Sequence, residues 1–111
     1  MSDREWIVRW TGELVRFTAD AVEAVTHSDP QVDTNLLRRR MSEGPLGFVP
    51  TAVEFDEHGR IVVSGAVSAP TYRDALDQSW DAVSVVLVED KLAIVDVLSV
   101  TAQLVEGGAA G

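Results

Sequence analysis

The chain contains no cysteine. That absence removes disulfide frameworks, thiolate nucleophiles, Fe–S clusters and cysteine zinc sites together. Histidine is scarce too: His27 and His58 stand alone, without the spacing of metal ligands, so no metal centre is expected. The glycines are scattered and lack the residues that would make a Walker loop, a Rossmann fingerprint, a nucleophile elbow or an EF-hand loop, and there is no HExxH motif. No cofactor is expected.

Positive charge is also in short supply. Nine Lys and Arg stand against eighteen Asp and Glu, for a net charge of −9. Residues 1–50 carry six Arg against eight acids, a balance of −2; residues 51–111 carry Arg60, Arg73 and Lys91 against ten acids, a balance of −7. The second half therefore repels phosphate backbones, and no nucleic-acid partner is expected. Long apolar runs are missing as well, because Glu89-Asp90-Lys91 breaks the longest valine-rich stretch well short of a bilayer span. With the charged start Met1-Ser2-Asp3-Arg4-Glu5, this predicts no membrane partner and a place in the cytoplasm or within an intracellular or virion assembly.

What is present suits one domain. The 111 residues are 46% hydrophobic, and eighteen are valine, enough apolar surface to offset the chain entropy lost on folding. The domain is expected over residues 1–105, followed by a flexible Gly/Ala tail at 106–111. The expected class is α+β, with a long N-terminal amphipathic helix and a short second helix packed on an antiparallel sheet of about four strands in two hairpins.

The periodicity behind this reading begins at Trp6. Ile7, Trp10, Leu14, Phe17, Ala21 and Ala24 alternate spacings of three and four, which predicts a helix over residues 3–26 ended by His27-Ser28-Asp29-Pro30. His27 then sits at the helix C-terminus, where it suits the helix dipole. Asp33 offers an N-cap for a short helix through Leu36, Leu37, Arg40 and Met41, stopped by Glu43-Gly44-Pro45. Val53 and Phe55, then Ile61, Val63 and Val67, alternate about Asp56-Glu57-His58-Gly59 as a hairpin. Residues 72–78 read as a short helical turn or an irregular crossing, and 80–88 with 92–105 as a second, longer hairpin rich in β-branched residues.

That second hairpin is apolar on both faces. Val86 and Val88 oppose the side of Val83, Val85 and Leu87, while Ala93, Val95 and Val97 oppose the side of Leu92, Ile94, Leu98 and Val100. One helix covers one face, so Val86, Val88, Ala93, Val95 and Val97 become interface candidates; closure by the 34–48 region is the alternative. Arg38-Arg39-Arg40, the only basic run, adds three more interface candidates, able to meet the acidic half of a neighbouring copy or to remain a solvated helical face.

Asp96 interrupts the stripe Leu92, Ile94, Leu98, Val100, so regular alternation places a carboxylate in the core. A desolvated acid could act as a general base or bind a ligand, with Asp81 and Tyr72 as pocket companions and Arg73 and His58 as weaker ones. A β-bulge returning Asp96 to water is the structural alternative. Trp6 and Trp10 on the helix and Trp80 at the hairpin start are expected to meet in the core. The helix-then-sheet order with Asp96 facing a pocket loosely resembles the nuclear-transport-factor-like cone fold. This chain lacks the further helical and strand segments that precede that family's final hairpins, so no residue role is transferred.

Two functions follow. The first is a non-enzymatic, small acidic interaction or assembly protein that self-associates or docks on a protein partner, as a bacterial accessory, immunity-type or phage or structural subunit would. The second is a small-molecule-binding domain or cofactor-free enzyme with a cone-shaped pocket containing Asp96.

Overall fold

Trp6, Val8, Trp10, Gly12 and Leu14 recur at every second position, and this period of two is the one the chain uses. In the computed structural model, which describes residues 3–25, 29, 32–44 and 47–105, the first element is strand β1 (Arg4–Phe17). The long N-terminal helix expected over 3–26 is therefore absent. Its seam residues divide between two sides of a sheet: Trp10 and Leu14 face the core, while Ile7 and Phe17 lie exposed on the opposite side. Trp, Ile, Val and Thr favour a pleated surface, and Gly12 would weaken a helix interior by about 1 kcal/mol.

A turn follows, in which Thr18 Oγ1 accepts the Ala21 N–H at 3.0 Å and the Thr18 N–H donates to the Ala21 carbonyl at 2.8 Å. The chain then returns as β2 (Val22–Val25). The helix stop expected at 27–30, His27 included, lies outside the described residues apart from Asp29, as does the tail at 106–111. Asp33 does cap a short helix, α1 (Thr34–Glu43), its carboxylate accepting the Asn35 and Leu36 N–H groups at 3.0 and 3.1 Å. Strands β3 (Val49–Phe55) and β4 (Ile61–Ala69) form the hairpin about Asp56-Glu57-His58-Gly59.

The second large correction concerns residues 72–88. The irregular crossing and the hairpin arm are both absent: the short helical turn that was the other expectation for 72–78 opens a longer helix, α2 (Tyr72–Glu89), begun by Thr71, whose hydroxyl accepts the Asp74 N–H at 3.1 Å. Ala75, Ser79, Ala82, Val83, Val86 and Leu87 are its buried residues, spaced as one helical stripe. Valine's strand preference is overridden because this stripe seats the helix on the sheet. Strand β5 (Leu92–Leu104) completes the fold. The second hairpin thus has no outgoing strand, and Trp80 lies on a helix while Trp6 and Trp10 lie on a strand.

All pairings are antiparallel in one five-stranded sheet centred on β1. β5 runs along one edge of β1; β4 pairs the other edge at Arg4–Gly12, and β2 takes over at Leu14–Phe17. β3 adds to the far side of β4. Both helices pack on the same face, where Val8, Leu14, Ile61, Val63, Val67 and Ile94 meet Leu37, Met41, Val83 and Leu87. With a strand first and two helices after it in sequence, the order that resembled a cone fold is also gone.

Two close approaches set the geometry of this sheet. A Cβ on Gly12 would stand 2.6 Å from Ile94 Cγ2, and one on Gly65 would collide with the Phe48 ring. Gly12 lies where the β1–β5 register shifts: Thr11 faces Ser99 but Glu13 faces Val95. The two surplus residues on β5 make a bulge at Asp96, Val97 and Leu98.

Candidate interaction surface

Because α1 and α2 share one face, the other face of the sheet carries no element among the described residues. Cross-strand pairs define what it presents. Phe17 pairs with Val22, Val15 with Ala24 and Ala93, and Glu13 with Val95. Residues directly opposite in an antiparallel ladder point to the same side, so Phe17, Val22, Val15, Ala24, Ala93 and Val95 form one apolar area at the β2 end. Phe17 is 44% and Val22 59% exposed, while Val15 is almost covered by its neighbours. Arg9, Glu13 and Glu54 supply charge on this face, and Ile7 adds a further exposed apolar side chain.

The interface candidates separate accordingly. Ala93 and Val95 lie on the uncovered face, half-buried, and Val97 is exposed within the bulge. Val86 and Val88 sit on α2 instead: Val86 is 5% exposed in the core and Val88 is 66% exposed on the solvent side. Arg38, Arg39 and Arg40 lie on α1. Arg38 and Arg39 line a shallow hollow with Asn35, Ser42 and Pro50. Arg40 Nη1 donates to Asp90 Oδ1 at 2.7 Å, tying α1 to the C-cap of α2. Sequence reasoning missed Phe17 and Val22, because it placed Phe17 in a helical seam; the period-two pattern of β1 was the signal that could have found them.

Two cavities flank the helices. One of about 530 Å³ opens between α1 and α2, with Val85 and Val86 beside Glu43, Glu89, Asp90 and the paired Arg40. The other, about 240 Å³, is lined by Arg16, Val32, Asp33, Leu36, Leu37, Asp90 and Leu92. Its charged groups are already engaged: Arg16 Nη1 donates to Asp29 Oδ2 at 2.8 Å, Asp33 caps α1, and Asp90 holds Arg40. The hydrogen bond to Asp29 raises the Arg16 guanidinium above its ordinary value despite some desolvation, with the charges of Asp29 and Glu23 adding to it. These arrangements fasten elements together.

The pocket candidates do not form the expected site. Asp96 is exposed in the bulge, with φ of 50°, a left-handed conformation that Asp tolerates better than most residues. The bulge, not regular alternation, decides where its carboxylate goes. Asp81 lies on the exposed stripe of α2 with Asp74 and Asp77. Tyr72, in the first turn of α2, packs edge-on against Trp6 with ring centroids 6.0 Å apart. Trp10 stacks at a tilt on Trp80, centroids 4.9 Å apart, and the Trp6 indole donates to the Ala69 carbonyl at 3.0 Å. The tryptophans thus fix α2 onto β1 in two separate contacts.

His58 is exposed in the β3–β4 loop, 3.4 Å from Glu57, and its backbone N–H donates to Asp56. Among the described residues no group of His, Asp and Glu is arranged to hold a metal ion, and no helix is long and apolar enough to cross a membrane. Comparison with family models, with curated proteins and with solved structures finds no match to this chain.

Proposed function

We propose that this chain is a non-enzymatic interaction subunit that self-associates through the uncovered face of its sheet, in the cytoplasm or within an intracellular or virion assembly. The supporting observation is the Phe17–Val22 pair, exposed beside Val15, Ala24, Ala93 and Val95 on the side away from both helices. Leaving such contiguous apolar surface in water costs roughly 25 cal/mol for each Å², which association recovers.

A second copy fits this face better than a strongly basic partner. Arg9 and Glu13 are both on it, four residues apart along β1, so a two-fold axis can set Arg9 of each copy near Glu13 of the other. An exposed Asp96 offers no desolvated acid, so a catalytic pocket around it lacks the burial such chemistry requires.

Light scattering at low and high salt tests the reading. An oligomer that persists in high salt, and that Phe17→Asp or Val95→Lys dissociates while the chain stays folded, supports it; Asp96→Asn leaves the mass unchanged. If those two charge variants assemble like the unmodified chain, the face is not the interface.

A further inference from the structure

The two long edges of the sheet are defended very differently. β3, at one edge, carries Pro50, a register shift between Pro50 and Ala52, and the charge of Glu54. These are devices that stop strands from adding to an edge. β5, at the other edge, is 13 residues long and, among the described residues, pairs only with β1. It has no proline, glycine, lysine or arginine, and its single charge, Asp96, is in the bulge. The nine residues from Val97 to Val105 are uncharged in a chain of net charge −9.

The ladder shows which groups face outward. The Val105 N–H donates to the Glu5 carbonyl at 2.9 Å, which makes Glu5 and Val105 a hydrogen-bonded pair. Alternation by two then directs the backbone groups of Ser99, Thr101 and Gln103 toward β1, and those of Val100, Ala102 and Leu104 away from it. Among the described residues, no other strand takes up that outward row.

We propose that this row pairs antiparallel with β5 of a second copy, across a two-fold axis at Ala102, joining the two sheets into one. This rests on the self-association reading above and names a second contact for it. Centring on Ala102 sets Val100 opposite the partner's Leu104 and Thr101 opposite Gln103 of the partner subunit. The outward groups of Val100, Ala102 and Leu104 are all used, and no two like charges meet. The self-complementary register argues for a second copy, and charge permits it: two strongly acidic copies repel over most of their surfaces, and this neutral strand is where they can approach at backbone distance. Where their axes meet at right angles, an edge contact and a face contact, each two-fold, close together as a tetramer with dihedral symmetry.

Amide hydrogen exchange on the full chain, with light scattering, tests the proposal. In the assembled protein the Val100, Ala102 and Leu104 amides are expected to exchange at least about tenfold more slowly than after dilution to monomer, while those of Ser99, Thr101 and Gln103 are protected in both. Ala102→Pro removes an outward donor and leaves the donors to β1 in place; it should halve the assembly mass. Should that variant not fold, Thr101→Lys with Gln103→Lys places like charges opposite one another on exposed positions and should halve the mass equally. An oligomer with unprotected edge amides, or one unchanged by these variants, overturns edge pairing and leaves the face contact standing. A strict monomer overturns both. Edge amides protected equally in the monomer overturn the proposal too, because the row is then covered within one chain.

Discussion

The indole N–H of Trp10 donates to the hydroxyl of Ser79 at 2.9 Å, and that hydroxyl donates in turn to the Leu76 carbonyl at 2.9 Å. Ser79 is completely buried, so this relay joins the central strand to α2 out of reach of water. Ser79→Ala leaves the Trp10 donor without its partner and should cost about 1–3 kcal/mol in a denaturant titration, whereas an exposed serine such as Ser68 should tolerate the same change.

Gly12 is where β1 passes the bulge of β5. Gly12→Ala puts a methyl group 2.6 Å from Ile94 Cγ2 and within 3.4 Å of the β5 backbone. The expected loss is about 1–3 kcal/mol by thermal or chemical unfolding, and Ile94→Val should not restore it, because valine keeps the Cγ2 methyl and backbone atoms of Val95 and Val97 also crowd the site.

Lys91 ends α2 in the left-handed region, at φ of 61°, with its N–H donating to the Val88 carbonyl at 3.0 Å. Glycine is the residue that enters this conformation without steric cost. Lys91→Gly is expected to raise stability by up to about 1 kcal/mol, read as a higher denaturation midpoint at unchanged denaturant dependence.

Asp56 organises the β3–β4 loop by accepting the N–H groups of Arg60 at 2.9 Å and His58 at 2.8 Å. The Arg60 bond first, with the His58 bond and the nearby positive charge, holds its carboxyl below the usual value of 3.8 against an opposing desolvation. Folding therefore favours the ionised form. The stabilisation is fully present above the ordinary carboxylate value and is lost as pH falls through the lowered folded value. Asp56→Ala should be less stable than the unmodified chain near neutrality, and the gap should narrow in acid. A gap that widens on acidification contradicts this assignment.

Several local features were legible in the chain because they depend on near neighbours. Asp33 caps α1 through bonds to residues two and three positions on, and Gly59 takes φ of 77° in a loop whose flanking residues alternate. The uncovered apolar surface was only half legible. Ala93 and Val95 were placed on it, but Val86 is core and Phe17 and Val22 were missed, since which face a strand residue occupies depends on the register with its partners.

The misassignments share one cause. Residues 4–17 contain both a three-four spacing and a period of two, and residues 72–88 contain both β-branched side chains and a helical stripe. Each stretch satisfies two templates locally, and packing chooses between them.

Composition by itself determined that this is an acidic, cysteine-free chain with enough apolar surface for one core, because those properties are sums over residues and do not depend on arrangement. Tertiary structure alone decided that β1 is the central strand, that α2 crosses the sheet on the same side as α1, and that Asp96 turns outward in a bulge. Those outcomes rest on contacts such as Trp10 with Ser79 and Gly12 with Ile94, whose partners lie far apart in sequence. No local pattern contains both halves of them.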